Sequence, residues 1–264
     1  ASLLNRYFKQ SIYYCNDNFL DRKRSKSYLV SLYWFFTQKK IIANSLFCVG
    51  VSDYLYKYLV KFNKHSYLLL AGSPPLSKSL ISYKRVDNQK INIVYVGWLN
   101  KINLDWLLPI IEIPNFDIYL IGPEKNIDLN AITNKKNIFV LGKMAGNELE
   151  NIMKNADVCI APYWIGKDTK EVYSMPSKFW LYLSYGKPIV TCRISNLISL
   201  PKKFIYQSNN ASEFKHNINL AITENNIELH EKRVQVMKEN SWESRAESLI
   251  NLHKKHDNLI KGSI

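Results

Sequence analysis

The feature that most constrains this chain is a repeated alternation between residues 91 and 192. Short apolar runs, each ended by Gly or Pro, are separated by segments with helical periodicity. Ile91–Val96 is stopped by Gly97, Phe116–Ile121 by Gly122-Pro123, Ile138–Leu141 by Gly142, and Asp157–Ala161 by Pro162. Pro188–Thr191 begins a further run after Gly186. Runs of this length with glycine or proline at their ends predict buried strands. Leu104–Ile113 and Asn147–Lys154 predict helices between them, and Pro176 fits the first turn of a helix running to about Tyr185. Strand and helix in alternation imply a parallel sheet covered on both faces. Such sheets take their ligands at the carboxyl ends of the strands.

Upstream the pattern is weaker. Ser11–Tyr14 and Leu46–Val51 read as strands, Tyr28–Lys39 as a helix, and Asp53–Val60 as a helix capped by Ser52. The stretch from Ser73-Pro74-Pro75 to Asn88 has linker composition, and Glu213–Lys255 is mostly helical. The expected organisation is a first lobe and linker over residues 1–88, a second lobe over 89–240, and a terminal helix over 241–264. The first residue is not Met, so the chain is expected to begin partway into a longer protein.

Composition sets the class. Hydrophobic residues make up 47% and charged residues 22% of 264 residues, as in ordinary globular proteins. Four scattered cysteines form no CxxC pair, which points to reduced thiols rather than a disulfide scaffold. Neither a secretory signal nor an 18-residue apolar run is visible, so a cytoplasmic location is expected. The five histidines lack metal-ligand spacing, so no metal is expected. Charge is unevenly placed. Residues 1–90 hold 15 Lys and Arg against 4 acids, a balance of +11, whereas residues 91–264 hold 21 against 18, or +3. A basic lobe suits an anionic membrane surface, an acidic substrate or nucleic acid, or reflects a lysine-rich composition. No recognised nucleic-acid module accompanies the charge, so nucleic acid is not expected as a partner.

Six segments in order resemble GT-B glycosyltransferases of the bacterial polysaccharide type, including exopolysaccharide glucuronosyltransferases. They are Val94-Tyr-Val-Gly97, Leu120-Ile-Gly-Pro123, Val140-Leu-Gly142, Asn155-Ala-Asp-Val-Cys-Ile-Ala-Pro162, Pro176-Ser-Lys-Phe-Trp-Leu-Tyr-Leu-Ser-Tyr-Gly-Lys-Pro188 and Asn240-Ser-Trp-Glu243. Tyr13-Tyr-Cys-Asn-Asp17 and Val49-Gly-Val-Ser-Asp-Tyr-Leu55 are similar to the end of that family's first lobe. The resemblance implies two Rossmann-like α/β lobes, the first truncated, and a last helix that crosses back to the first lobe. It implies transfer of a sugar from a nucleotide-sugar donor, UDP-linked, to a lipid-linked or polysaccharide acceptor, with no cofactor or metal. Such acceptors sit at the inner face of the cytoplasmic membrane. The basic cluster Arg22-Lys-Arg-Ser-Lys26, beside Tyr28, Leu29 and Tyr33-Trp-Phe-Phe36, suits docking there if the aromatics are exposed; packing in the first-lobe core is the alternative.

The residues agree with this expectation. The N–H groups at the start of the helix near Pro176 and Ser177 offer an anion site, and Lys178 in its first turn suits a phosphate. Gly97 lets the chain approach the phosphates closely, with Trp98 beside it. Tyr173 and Met175 are placed to flank the nucleotide. Gly142, Lys143 and Met144 follow a strand end, where the base is expected. For these five residues core packing is nearly as good a reading. Many related transferases carry two glutamates separated by seven residues, the second holding the ribose hydroxyls. Tyr173 and Leu181 stand there instead, and Leu accepts no hydrogen bond, leaving Glu171 as the nearest substitute acceptor. If transfer inverts the anomeric centre, it needs a carboxylate base from the first lobe. Among Asp17, Asp21, Asp53 and Asp87, Asp17 is the first candidate and Asp53 the second. The alternative class is a non-catalytic nucleotide- or glycan-binding protein built on a transferase lobe.

Overall fold

The computed structural model describes residues 11–17, 28–73, 90–124, 127–164, 175–194 and 200–261. The chain divides into two compact units: Ala1–Gly72 with Val172–Met175 and Asn240–Ile264, and Ser73–Glu171 with Pro176–Glu239. The linker candidate at 74–88, the basic cluster at 22–26, Asp21, Asp87, Glu171 and Tyr173 lie outside the described residues.

The first unit holds a three-stranded parallel sheet of β1 (Ile12–Cys15), β2 (Phe47–Gly50) and β3 (Ser66–Leu68), in that order. The central strand is buried along its whole length, because each residue of Phe-Cys-Val-Gly is apolar or small. Helix α1 (Tyr28–Asn44) buries only Ser31 and Ile42 and leaves Tyr28, Leu29, Tyr33, Trp34 and Phe36 exposed. Of the two readings of these aromatics, exposure therefore holds for all but Phe35, which is partly buried with the Lys39 amine over its ring. Helix α2 (Asp53–Val60) starts where Ser52 accepts the Leu55 N–H, and its Leu55 and Leu59 join Cys15, Ile42, Cys48 and Val51 in one core. Asn63 closes the turn before β3 by donating to the carbonyls of Ile42 and Ser45 and accepting from the His65 N–H. The short strand β3 opens the apolar run Tyr67–Ala71, which Gly72 ends, and sequence reasoning missed it.

The second unit carries a six-stranded parallel sheet in the order β6-β5-β4-β7-β8-β9. The strands are β4 (Ile91–Val96), β5 (Phe116–Ile121), β6 (Ile138–Gly142), β7 (Val158–Ala161), β8 (Ile189–Cys192) and β9 (Ile205–Ser208). Helices α3 (Leu108–Ile111), α4 (Asn130–Thr133), α5 (Gly146–Asn155), α6 (Ser177–Ser184), α7 (Ala211–Thr223) and α8 (Ile227–Glu239) belong to this unit, and α9 (Trp242–Lys261) to the first. The four cysteines are free and buried. One expected helix is broken: Leu104–Ile113 forms a 3-10 turn, Leu104–Trp106, and then α3. Pro109 lacks an N–H and would clash with the carbonyl four residues back in a continuous helix. Pro176 is the N-cap of α6 rather than a residue of its first turn.

Strand order places β4 and β7 side by side, with the chain winding away from them in both directions. That is the switch point where such sheets open a crevice beyond the strand ends. Two backbone hydrogen bonds carry the ladder past the strands here, from Gly97 N–H to Ile121 O (2.8 Å) and from Gly122 N–H to Gly142 O. Gly122 has φ of 145°, and a β-carbon on it would lie 1.9 Å from the Gly97 carbonyl oxygen. Gly146 also has positive φ (60°), but nothing lies within 4 Å of its β-carbon position. Gly122→Ala is therefore expected to cost ~2–4 kcal/mol, from strain and clash together, and Gly146→Ala about 1 kcal/mol, from strain alone. Chemical denaturation of the two variants checks the ranking; equal losses would mean that the Gly97–Gly122 approach is slack.

Candidate functional site

The side chains at the switch point gather around one amine. Lys178 is the second residue of α6, partly buried, and its Nζ lies 3.9 Å from the Tyr95 ring centroid and 5.0 Å from that of Tyr163. A β-carbon on Gly97 would meet that Nζ at 2.3 Å, so the glycine leaves the space that the amine occupies. Among the described residues, neither a carboxylate nor a carbonyl pairs with it. Burial pushes the Lys178 amine down to about 7, and the positive charge of Lys101 adds to the shift. Lys187, the other lysine lowered by burial, is different: its Nζ donates to the Lys154 carbonyl at 2.8 Å.

Helix α6 is fixed above the strand ends by Tyr182, one turn beyond Lys178. The fully buried Tyr182 hydroxyl accepts the Val96 N–H at 2.8 Å and lies 3.4 Å from the Ile160 carbonyl, so it spans β4 and β7. The N-cap of α6, Pro176, makes no side-chain capping bond; its carbonyl accepts the Phe179 N–H at 2.9 Å, and Ser177 at the first helical position is exposed. The N-terminal dipole of α6 and two lysines with no carboxylate partner among the described residues form an arrangement suited to an anion. The loops after β4 and β7 are stitched together beside it. Asn103 N–H donates to Pro162 O (2.7 Å), Trp164 N–H to Lys101 O (3.2 Å), and Ile102 bridges Tyr163.

The structure brings together Gly97, Trp98, Pro176, Ser177 and Lys178 of the expected set. Gly142, Lys143 and Met144 lie at the end of β6, with β5 between them and β4; Lys143 is exposed and Met144 partly buried. Met175 is buried and grouped with the first unit. Asp17 follows β1, partly buried, with the Cys15 thiol donating to its backbone carbonyl. Asp53 begins α2 and is paired with Lys57 at 2.6 Å, a helix-end role. Tyr95, Lys101, Tyr163 and Tyr182 are site residues that sequence reasoning missed. Only the four-residue spacing of Lys178 and Tyr182, which puts both on one helix face, hinted at any of them.

No curated protein matches the chain significantly. Solved structures do. The apo form of the lipopolysaccharide outer core galactosyltransferase WaaB is 11% identical with a TM-score of 0.59, over 84% of this chain and 63% of its own. Anabaena HepE in complex with UDP-glucose is 12% identical with a TM-score of 0.58, over 96% and 72%. A variant of S. aureus TarM in complex with fondaparinux, α-GlcNAc-glycerol and UDP is 10% identical with a TM-score of 0.61, over 92% and 50%. The chain thus spans less than two thirds of WaaB and half of TarM. At these identities the likeness establishes the fold, a GT-B arrangement of parallel α/β sheets. The family model "Glycosyl transferases group 1" matches residues 90–224, just over half the chain and every strand of the six-stranded sheet, so the protein belongs to the glycosyl transferases of group 1.

Proposed function

We propose that the protein is a glycosyltransferase that takes a sugar from a nucleotide-sugar donor, UDP-linked, and passes it to a lipid-linked or cell-surface glycan. The observation that carries this reading is the Lys178 amine at the start of α6, held between the Tyr95 and Tyr163 rings at the switch point with no carboxylate partner among the described residues. A diphosphate supplies the charge that the site lacks. Two structures with this fold hold UDP or UDP-glucose, which supports a uridine donor. Asp17, which follows β1 at the end of the first sheet's edge strand, is the proposed base for an inverting transfer. No metal or cofactor is part of the proposal.

Leu181 favours the second reading, a non-catalytic nucleotide- or glycan-binding protein. It is partly buried and offers the ribose no side-chain acceptor. One set of variants separates the readings. Lys178→Ala is expected to weaken UDP-glucose binding at least tenfold, by loss of a charge-assisted contact. Asp17→Asn in the natural full-length protein is expected to leave binding intact and to reduce transfer about 100-fold or more. Donor binding without transfer by the wild-type protein would favour the binding-protein reading, and equal affinity of wild type and Lys178→Ala would remove Lys178 from the site.

The lowered Lys178 amine gives the binding a pH signature. A bound diphosphate favours the protonated amine, so affinity is full below about 7 and falls as pH rises through the free-protein value. UDP-glucose has no phosphate proton of its own to lose in this range. Its affinity is expected to fall about tenfold between roughly pH 6 and 8, and calorimetric titrations across that range measure it. A flat profile, or one unchanged by Lys178→Ala, would contradict the assignment.

We also propose that the first unit docks on anionic membrane. Helix α1 carries exposed Tyr33, Trp34 and Phe36, and Lys40, Lys57, Lys61 and Lys64 of the same unit are exposed. Aromatic rings with lysines suit the headgroup layer, at ~1 kcal/mol per basic residue held there. No described helix is long and apolar enough to cross a membrane. Sedimentation with phosphatidylserine liposomes is expected to capture the protein, less so at high salt, and less after Trp34→Ser with Phe36→Ser. Capture by neutral liposomes alike, or none at low salt, would contradict membrane docking.

A further inference from the structure

We propose that Trp98 and Trp164 form an aromatic platform that stacks on the pyranose ring of the donor sugar, an inference that rests on the donor reading above. Trp98 is 48% and Trp164 51% exposed, although tryptophan is a side chain with much apolar surface to hide. Both stand at the switch point, one after β4 and one after β7. Each is tied to one of the two rings that enclose the Lys178 amine. The Tyr95 hydroxyl donates to the Trp98 carbonyl at 2.8 Å, and Trp164 follows Tyr163 directly. Lys101 joins the two, donating its N–H to the Trp98 carbonyl and accepting the Trp164 N–H, each at 3.2 Å. The two indoles are therefore carried on backbone that is hydrogen-bonded to itself and fixed beside the amine.

The chemistry selects the sugar rather than the base. In a nucleotide sugar the pyranose is bonded directly to the second phosphate, whereas the base is separated from the first by a ribose. A diphosphate on Lys178 thus brings the pyranose to the rings around that amine. The end of β6, with Gly142, Lys143 and Met144, is a separate place for the base. A pyranose presents a face of C–H bonds and an edge of hydroxyls. An indole face covers the first, where its electron-rich surface meets the C–H bonds, and leaves the second to water. Exposed tryptophans that meet a pyranose in this way bury apolar surface only when the sugar is present.

Calorimetric titration with UDP and with UDP-glucose, UDP-galactose, UDP-N-acetylglucosamine and UDP-glucuronate tests this, using whichever sugar nucleotide the wild type binds most tightly. Trp98→Ala and Trp164→Ala are each expected to weaken that sugar nucleotide about five- to tenfold, from lost apolar contact, while UDP changes less than about twofold. Trp164→Phe, which keeps an aromatic face, is expected to restore most of the loss. Equal losses for UDP and the sugar nucleotide would put the rings on the base or phosphates and overturn the platform. Unchanged affinities, or a wild type that binds UDP and no sugar nucleotide, would overturn it too while the diphosphate site stands. A wild type that binds neither overturns both readings.

Discussion

The end of β4 depends on two peptide units being allowed to touch. A β-carbon at Gly122 would fall 1.9 Å from the Gly97 carbonyl oxygen, and one at Gly97 would fall 2.3 Å from the Lys178 amine. The first contact lets the strand ends of β4, β5 and β6 run on as hydrogen-bonded backbone. The second lets the lysine of α6 reach down onto the ring of Tyr95. Remove either approach and the amine no longer lies at the point where β4 and β7 diverge. The site is thus built by what two residues lack as much as by what Lys178 carries.

Electrostatics separate this lysine from the rest of the chain's basic residues. Lys187 is buried too, yet its amine has the Lys154 carbonyl. Surface lysines such as Lys57 and Lys232 lie beside carboxylates on their own helices, pairs worth little in water. Lys178 has two aromatic faces and a neighbouring lysine, with a helix N-terminus adding to the same sign. A free protein holds such an amine only by letting its proton go easily. An arriving anion reverses that, which is why the proposed donor affinity and the protonation of one side chain are coupled.

Most of the fold was legible because its strands are buried on both faces. Ile91–Val96 and Phe116–Ile121 are apolar runs broken only by Asn92 and Asp117 near their starts and ended by glycine, and the structure ends them there. Strand β9, Ile-Tyr-Gln-Ser, has no such run; β3 uses only the start of the apolar run Tyr67–Ala71, and its three residues are held by pairing with β2. The break at Pro109 was readable in principle and was overridden by the apolar periodicity around it. At the site, local signals reach only Gly97 and the start of α6. Tyr95, Lys101, Tyr163 and Trp164 come together because β4 and β7 are neighbours across a crossover, and sheet order is not written in any single segment.

The central claim is that the ends of β4 and β7, with the start of α6, hold the diphosphate of a nucleotide sugar. A crystal structure of the natural full-length protein with UDP-glucose tests it most directly. Phosphate oxygens are expected within hydrogen-bonding distance of Lys178 Nζ and of the first N–H groups of α6, next to Gly97. A diphosphate bound elsewhere, with the Lys178 amine still resting only on Tyr95 and Tyr163, would contradict it.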